Sequence, residues 1–171
     1  MSEDSVEALE GESLEVPAEP AERVRAIVTR VVAVLGFGDA TVEVEETADE
    51  IRATVNGPED AGRLIGRHGS TIDALQHVAW RAAFHDRDER KSVVVDAAGY
   101  RRRREEALQR QADRAASDAI HFGRPVELEP MSASERKTVH NYLKDRHDVD
   151  THSEGDEPER RLVVTPLRQG S

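Results

Sequence analysis

The chain has 171 residues, with 24 Lys and Arg against 35 Asp and Glu, a formal net charge of -11, 37% hydrophobic residues and 4% aromatic. That length allows one ordinary domain or two small ones, and the apolar content is low for a single large core. With no cysteine, disulfides, thiolate zinc sites and cysteine nucleophiles are excluded, and a reducing cytoplasmic setting is expected.

Residues 1–20 hold seven acids and no Lys or Arg, which reads as a disordered acidic tail without the basic and apolar regions of a secretory signal. Val24, Ile27, Val28, Val31, Val32 and Leu35 then follow the i, i+3, i+4, i+7 spacing of an amphipathic helix, stopped by Gly36 and Gly38. Val42 and Val44, then Ile51, Ala53 and Val55, alternate with polar residues as an antiparallel pair of half-buried strands. A short helix is expected over 59–65, interrupted by Gly66-Arg67-His68-Gly69. Ser70 and Asp73 form a capping-box pattern that opens a helix with Ile72, Leu75, Ala79 and Ala82 inward. The continuously apolar run from Ser92 to Val95 predicts a strand buried on both faces or central in its sheet.

A long helix is predicted from Tyr100 to Ile120, with Leu108, Ala112, Ala115 and Ala119 on one stripe and Gly123 and Pro125 ending it. Val126 and Leu128 alternate as a strand. Ser132 and Glu135 make a second capping box, for a helix to about Lys144. Strands near 149–153 and 161–165 flank a loop. Residues 147–159 hold six acids and no Lys or Arg. Without these six and the seven of the tail, 24 bases face 22 acids, so the acidity is local and a polyanionic partner is not excluded.

The expected fold is α+β in two small domains. Residues 21–98 form an α-β-β-α-α-β unit, and residues 99–167 an α-β-α-β-β unit with a three-stranded sheet and helices on one face. Residues 168–171 are a tail.

Three constellations carry chemistry. The first is Ile65-Gly66-Arg67-His68-Gly69, with Ser70 opening the following helix. A helix that stops at one glycine and restarts after another leaves amides and a positive dipole end facing an anion, which suits a nucleic-acid phosphate. Gly66 is expected to allow the reversal and Gly69 close backbone approach. A GxxG with a basic centre, between two helices and after a strand, is the mark of a KH module; the bland alternative is an ordinary helix corner.

The second is Arg136, His140 and Lys144, spaced by four along one helix face. Val139 and Leu143 mark the buried side, so Arg136 and His140 flank it, fit to clamp phosphate or stack on a base. Against this stands a solvated face with Arg136 paired to an acid such as Glu135. The third is Arg101-Arg102-Arg103-Arg104, four cations at a helix N-terminus where the dipole opposes them. Phosphate contact by some of them, Arg101 and Arg102 included, accounts for that placement, and Arg160 and Arg161 add a basic pair beyond the acidic loop. The His147, Asp148, Asp150, His152 cluster alternates faces in a strand and reads as surface. No nucleophile elbow, Walker loop or HExxH helix is present, so neither catalysis nor a cofactor or metal is expected.

The segments GRLIGRHGSTIDALQ, VVVDAAGYRRRREE, GRPVELEPMSASERKTVHNYL and SEGDEPERRLVVTP closely resemble the bacterial Jag family, also called KhpB, over residues 21–166. That family joins a KH domain to a domain named for an arginine and a histidine separated by three residues. The resemblance implies a type II KH fold and a cytoplasmic, non-catalytic binder of single-stranded nucleic acid, in practice RNA, with single-stranded DNA as an option and no small-molecule substrate. It carries phosphate contact onto Gly66, Arg67, His68 and Gly69, and a second binding role onto Arg136 and His140. It also implies pairing of the KH unit with itself or a small KH-only protein, and links to cell elongation and division and to the membrane insertase. Longer members carry a separate N-terminal Jag domain where this sequence has its acidic tail, which leaves partner contacts through that domain in question.

On this reading the KH groove holds about four nucleotides, with bases against aliphatic side chains such as Ile65 and Ile72. With three Phe, two Tyr and one Trp, a stacking platform is not expected. The rival reading is an adaptor whose KH unit pairs with other KH domains and whose nucleic-acid contact is vestigial.

Overall fold

A computed structural model describes residues 17–57, 61–88 and 90–167, and the chain divides after Ala98 into two compact units. Among the described residues each unit holds one three-stranded sheet.

The first unit opens with α1 (Pro20–Val34), four residues earlier than its apolar spacing predicts, because Pro20 provides a ready-made first turn. Val24, Val28 and Val32 are its buried stripe. Strands β1 (Thr41–Glu46) and β2 (Glu50–Asn56) pair antiparallel with Val42 opposite Val55 and Val44 opposite Ala53, as the alternation predicts. A one-turn helix α2 (Gly62–Ile65) follows, and the part of its predicted span at residues 59–60 lies outside the described residues. Next come a tight turn over Arg67–Gly69, α3 (Ser70–Phe84) and β3 (Ser92–Ala97). The order is the expected α-β-β-α-α-β.

Two expectations fail in this unit. β3 is not central: the sheet order is β1-β2-β3, and β3 pairs parallel with β2 alone. Val93, Val95 and Ala97 are buried while Val94 is half-buried, so one face is covered. The edge is protected otherwise, because the Val95 amide donates to Gln76 Oε1 of α3 at 3.1 Å. The Ser70–Asp73 capping box does not form either. Gly69, at φ +83°, is the N-cap, with no side-chain cap, and Ser70 already has helical backbone angles, so its hydroxyl stands one residue too late. The inward stripe of α3 is Ile72, Leu75, Ala79 and Ala83, with Ala82 replaced by the residue one full i+4 step beyond Ala79.

The predicted tail also ends sooner than residue 20. The Pro17 carbonyl accepts from Arg23 Nε at 2.6 Å and the Ala18 carbonyl from Arg87 Nη2 at 2.6 Å. Residues 1–16 of that prediction lie outside the described residues, as do 168–171.

In the second unit α4 (Tyr100–Phe122) buries Leu108, Ala112, Ala115, Ala116 and Ala119 and ends at Gly123, φ +63°. β4 is only Val126–Glu127; Leu128, predicted within it, instead donates its amide to the Leu162 carbonyl at 2.9 Å. The capping box of Ser132 and Glu135 opens α5 (Ala133–Leu143) as predicted, with Ser132 accepting from the Glu135 amide and Glu135 accepting in return. β5 (Val149–Glu154) and β6 (Arg161–Pro166) complete an antiparallel sheet of order β4-β6-β5. Leu108, Ala112, Val139, Leu143, Val149 and Val164 meet between the helices and this sheet.

Candidate nucleic-acid interface

The GxxG corner is built by backbone geometry. Gly66 lies at φ +75°, ψ 177°, a region that side chains with a Cβ do not occupy, and a Cβ there would strike Thr71 Oγ1 and stand 2.7 Å from the Thr71 nitrogen. His68 (φ 52°) and Gly69 (φ 83°) are both left-handed. The roles expected of the two glycines are therefore exchanged: Gly66 is the point of close approach, and Gly69 turns the chain into α3. Histidine is among the few non-glycine residues that accept His68's geometry with modest strain.

Three corner amides are already used inside the turn. Gly66 N–H donates to the Gly62 carbonyl at 2.8 Å and Gly69 N–H to the Gly66 carbonyl at 3.2 Å, and the Ser70 amide reaches the Arg67 carbonyl. The corner consequently offers an anion less bare backbone than the sequence suggests, and Asp73 already sits in the first turn of α3. What projects is the exposed Arg67 side chain and the exposed Ser70, with Ile65 and His68 half-buried beside them. Ile72, named as a wall for bases, is wholly buried in the core and faces no ligand.

In the second unit, α5 and the β5–β6 loop enclose an open groove of about 500 Å³, whose walls include Arg136, Lys137, His140, Thr151, Ser153, Glu157 and Arg160. The groove therefore brings together Arg136, His140 and Arg160, while Lys144 stands at the C-cap of α5 and Arg101 and Arg102 in the first turn of α4. His140 is exposed, its Nδ1 2.6 Å from Thr151 Oγ1. Arg136 is different, at 7% exposed. Its Nη1 donates to the carbonyls of Met131 at 2.7 Å and Arg160 at 3.5 Å, and its Nη2 to Glu157 Oε1 at 2.5 Å. The acid expected as its partner, Glu135, is engaged elsewhere: it caps α5 and accepts from Arg104 Nε at 2.6 Å. A single residue step along a helix turns the side-chain direction by about 100°, so the adjacent charges at 135 and 136 serve different neighbours.

Arg161 points away from the groove and pairs with Glu127 at 2.7 Å, because successive residues of a strand face opposite ways. The same alternation disperses the His147–His152 cluster. Asp148 takes both oxygens to Arg146, at 2.9 and 2.8 Å, which holds its carboxyl below the usual range. Among the described residues no group of three or more His, Asp or Glu side chains is placed to hold a metal ion.

Lys137, Thr151, Ser153 and Glu157 are groove residues that sequence reasoning left out. Lys137 lies inside the quoted helix and was legible; the β5 hydroxyls and Glu157 are brought to α5 only by the tertiary fold.

Two small α+β units, one with a GxxG corner and one with Arg136 and His140 a turn apart over a groove, define the class: a KH domain followed by an Arg-x-x-x-His domain. The family model described as "KhpA/KhpB, KH domain" matches residues 21–96, and the model of the Arg-x-x-x-His domain matches residues 106–166. The chain is 37% identical over 168 residues to RNA-binding protein KhpB of Lactiplantibacillus plantarum, covering 94% of this chain and 52% of that one. It is 35% identical over 133 residues to the protein of that name from Bacillus subtilis, covering 77% and 64%, and 32% identical over 167 residues to that of Streptococcus pneumoniae serotype 2, covering 95% and 51%. The chain belongs to the KhpB (Jag) family. It spans between about half and two thirds of the length of these relatives.

Proposed function

We propose that this chain is a non-catalytic binder of single-stranded nucleic acid, RNA in the first place, acting as an RNA chaperone or post-transcriptional regulator. The observation that carries the reading is the Gly66–Gly69 corner, which holds Arg67 in solvent where α3 begins. The printed names of the relatives, RNA-binding protein KhpB, support RNA over DNA.

The KH unit, residues 21–98, takes phosphates at Gly66, Arg67, His68, Gly69 and Ser70, with a base against Ile65. The Arg-x-x-x-His unit, residues 99–167, adds contacts through His140 and Arg160 in the groove, with Arg136 behind them and Arg101, Arg102 and Lys144 at its margins. Family resemblance extends the proposal to work in the cytoplasm, to KH-mediated pairing with itself or a KH-only protein, and to roles in elongation and division and at the membrane insertase. No helix among the described residues is long and apolar enough to cross a membrane.

Titration of single-stranded RNA by gel shift tests the assignment. The double variant Arg67→Asp, His68→Asp should weaken binding by about tenfold or more, since two basic contacts become repulsive. Aspartate tolerates the left-handed backbone at 68, so circular dichroism should stay as in the wild type. Unchanged affinity in the folded variant rejects the KH site.

A further inference from the structure

Arg136 is the signature arginine of its domain, yet its guanidinium does not stand open to the groove. Its side chain is 9% exposed, and every contact given for it runs to the protein itself: two backbone carbonyls inside, and the Glu157 carboxylate outside. A buried cation needs a counter-ion, because removing it from water without one costs several kcal/mol. Glu157 supplies it from a side chain that is 59% exposed, on the loop between β5 and β6.

The arrangement is asymmetric. Arg136 cannot leave, whereas the carboxylate over it is solvated and free to turn away. Carboxylate and phosphate oxygens bind guanidinium in the same manner. Lys137, His140 and Arg160 line the same groove and would hold the neighbouring part of a phosphate chain.

We propose that Glu157 occupies the seat of a backbone phosphate and gates Arg136: phosphate gains this arginine only by displacing Glu157. The gate rests on the nucleic-acid reading given above, but it makes its own demand, because it singles out one acid from a loop that also holds Glu154, Asp156 and Glu159. General repulsion would make these acids interchangeable. A gate does not.

The experiment compares Glu157→Gln with Glu159→Gln, which removes equal charge from the same loop without touching Arg136. With single-stranded RNA, Glu157→Gln should bind about three- to tenfold more tightly than wild type and Glu159→Gln less than about twofold, the scale of one released ion pair against a screened surface charge. Glu157→Ala, which removes the cover altogether, should gain at least as much. Equal gains from the Glu157 and Glu159 variants, or weaker binding by Glu157→Gln, overturn the gate. Inorganic pyrophosphate, followed by backbone amide shifts of residues 136–140, separates the gate from its premise. Tighter pyrophosphate binding by Glu157→Gln when RNA binds neither protein would leave the gate standing and remove the RNA reading. Pyrophosphate binding equal to wild type overturns the gate.

Discussion

At Gly66 the chain adopts angles that no side chain with a Cβ tolerates, and it does so with Thr71 packed against the bare Cα. Gly66→Ala should therefore cost the first unit about 3 kcal/mol, a strained backbone added to a clash. Urea unfolding followed by Trp80 fluorescence measures it, since Trp80 is the sole tryptophan and belongs to this unit. A cost below about 1 kcal/mol would mean the turn relaxes. Arg136 carries the opposite lesson. A substitution there removes a structural donor as well as a basic contact, because the Met131 and Arg160 carbonyls lose a buried partner. Loss of RNA binding by Arg136→Ala is thus read together with the stability of the second unit.

At the scale of elements, the strap between α1 and the end of α3 has a pH signature. Arg23 donates to both oxygens of Asp86, at 2.6 and 3.1 Å. That hydrogen bond foremost, opposed by some desolvation and aided by the guanidinium charge, lowers the Asp86 carboxyl from 3.8 to about 2. A carboxyl depressed in the folded state contributes stability above its unfolded value, and that contribution fades as pH falls from about 4 through 2. Trp80 fluorescence against temperature should show wild type losing this share of stability over that interval. Asp86→Asn should be the less stable protein at pH 7 and lack this part of the acid dependence. Parallel curves for the two proteins would show that the strap contributes nothing.

At the scale of the molecule, a formal charge of -11 coexists with two basic sites because acids are concentrated in residues 1–20 and 147–159. The sites reach solvent with few cations each, so binding is weak and sensitive to salt. With roughly four to six phosphates neutralised, the log–log slope of affinity against salt should lie near -3 to -4 for a single strand. Fluorescence anisotropy with labelled RNA from low to moderate salt checks it. A slope near about -1 would mean that one site, or neither, takes phosphate.

Periodicity and capping were sufficient for the helices and for both sheets in outline, since a 3.6-residue stripe such as Leu108–Ala119 or an alternation such as Ile51–Val55 specifies element and buried face together. The GxxG corner and the Arg136–His140 spacing were likewise legible, because each is a local pattern on one stretch of chain. Pairing between distant elements was not. β2 rather than β3 became the central strand, since a run of valines looks the same whether one face or both are covered. Glu157 came to Arg136 across 21 residues, while Glu135, next in the chain, turned to Arg104. Local sequence decides the direction in which a side chain leaves its element; which charge it then meets depends on how the elements pack, and that choice decides whether Arg136 lies open to a phosphate or under an acid.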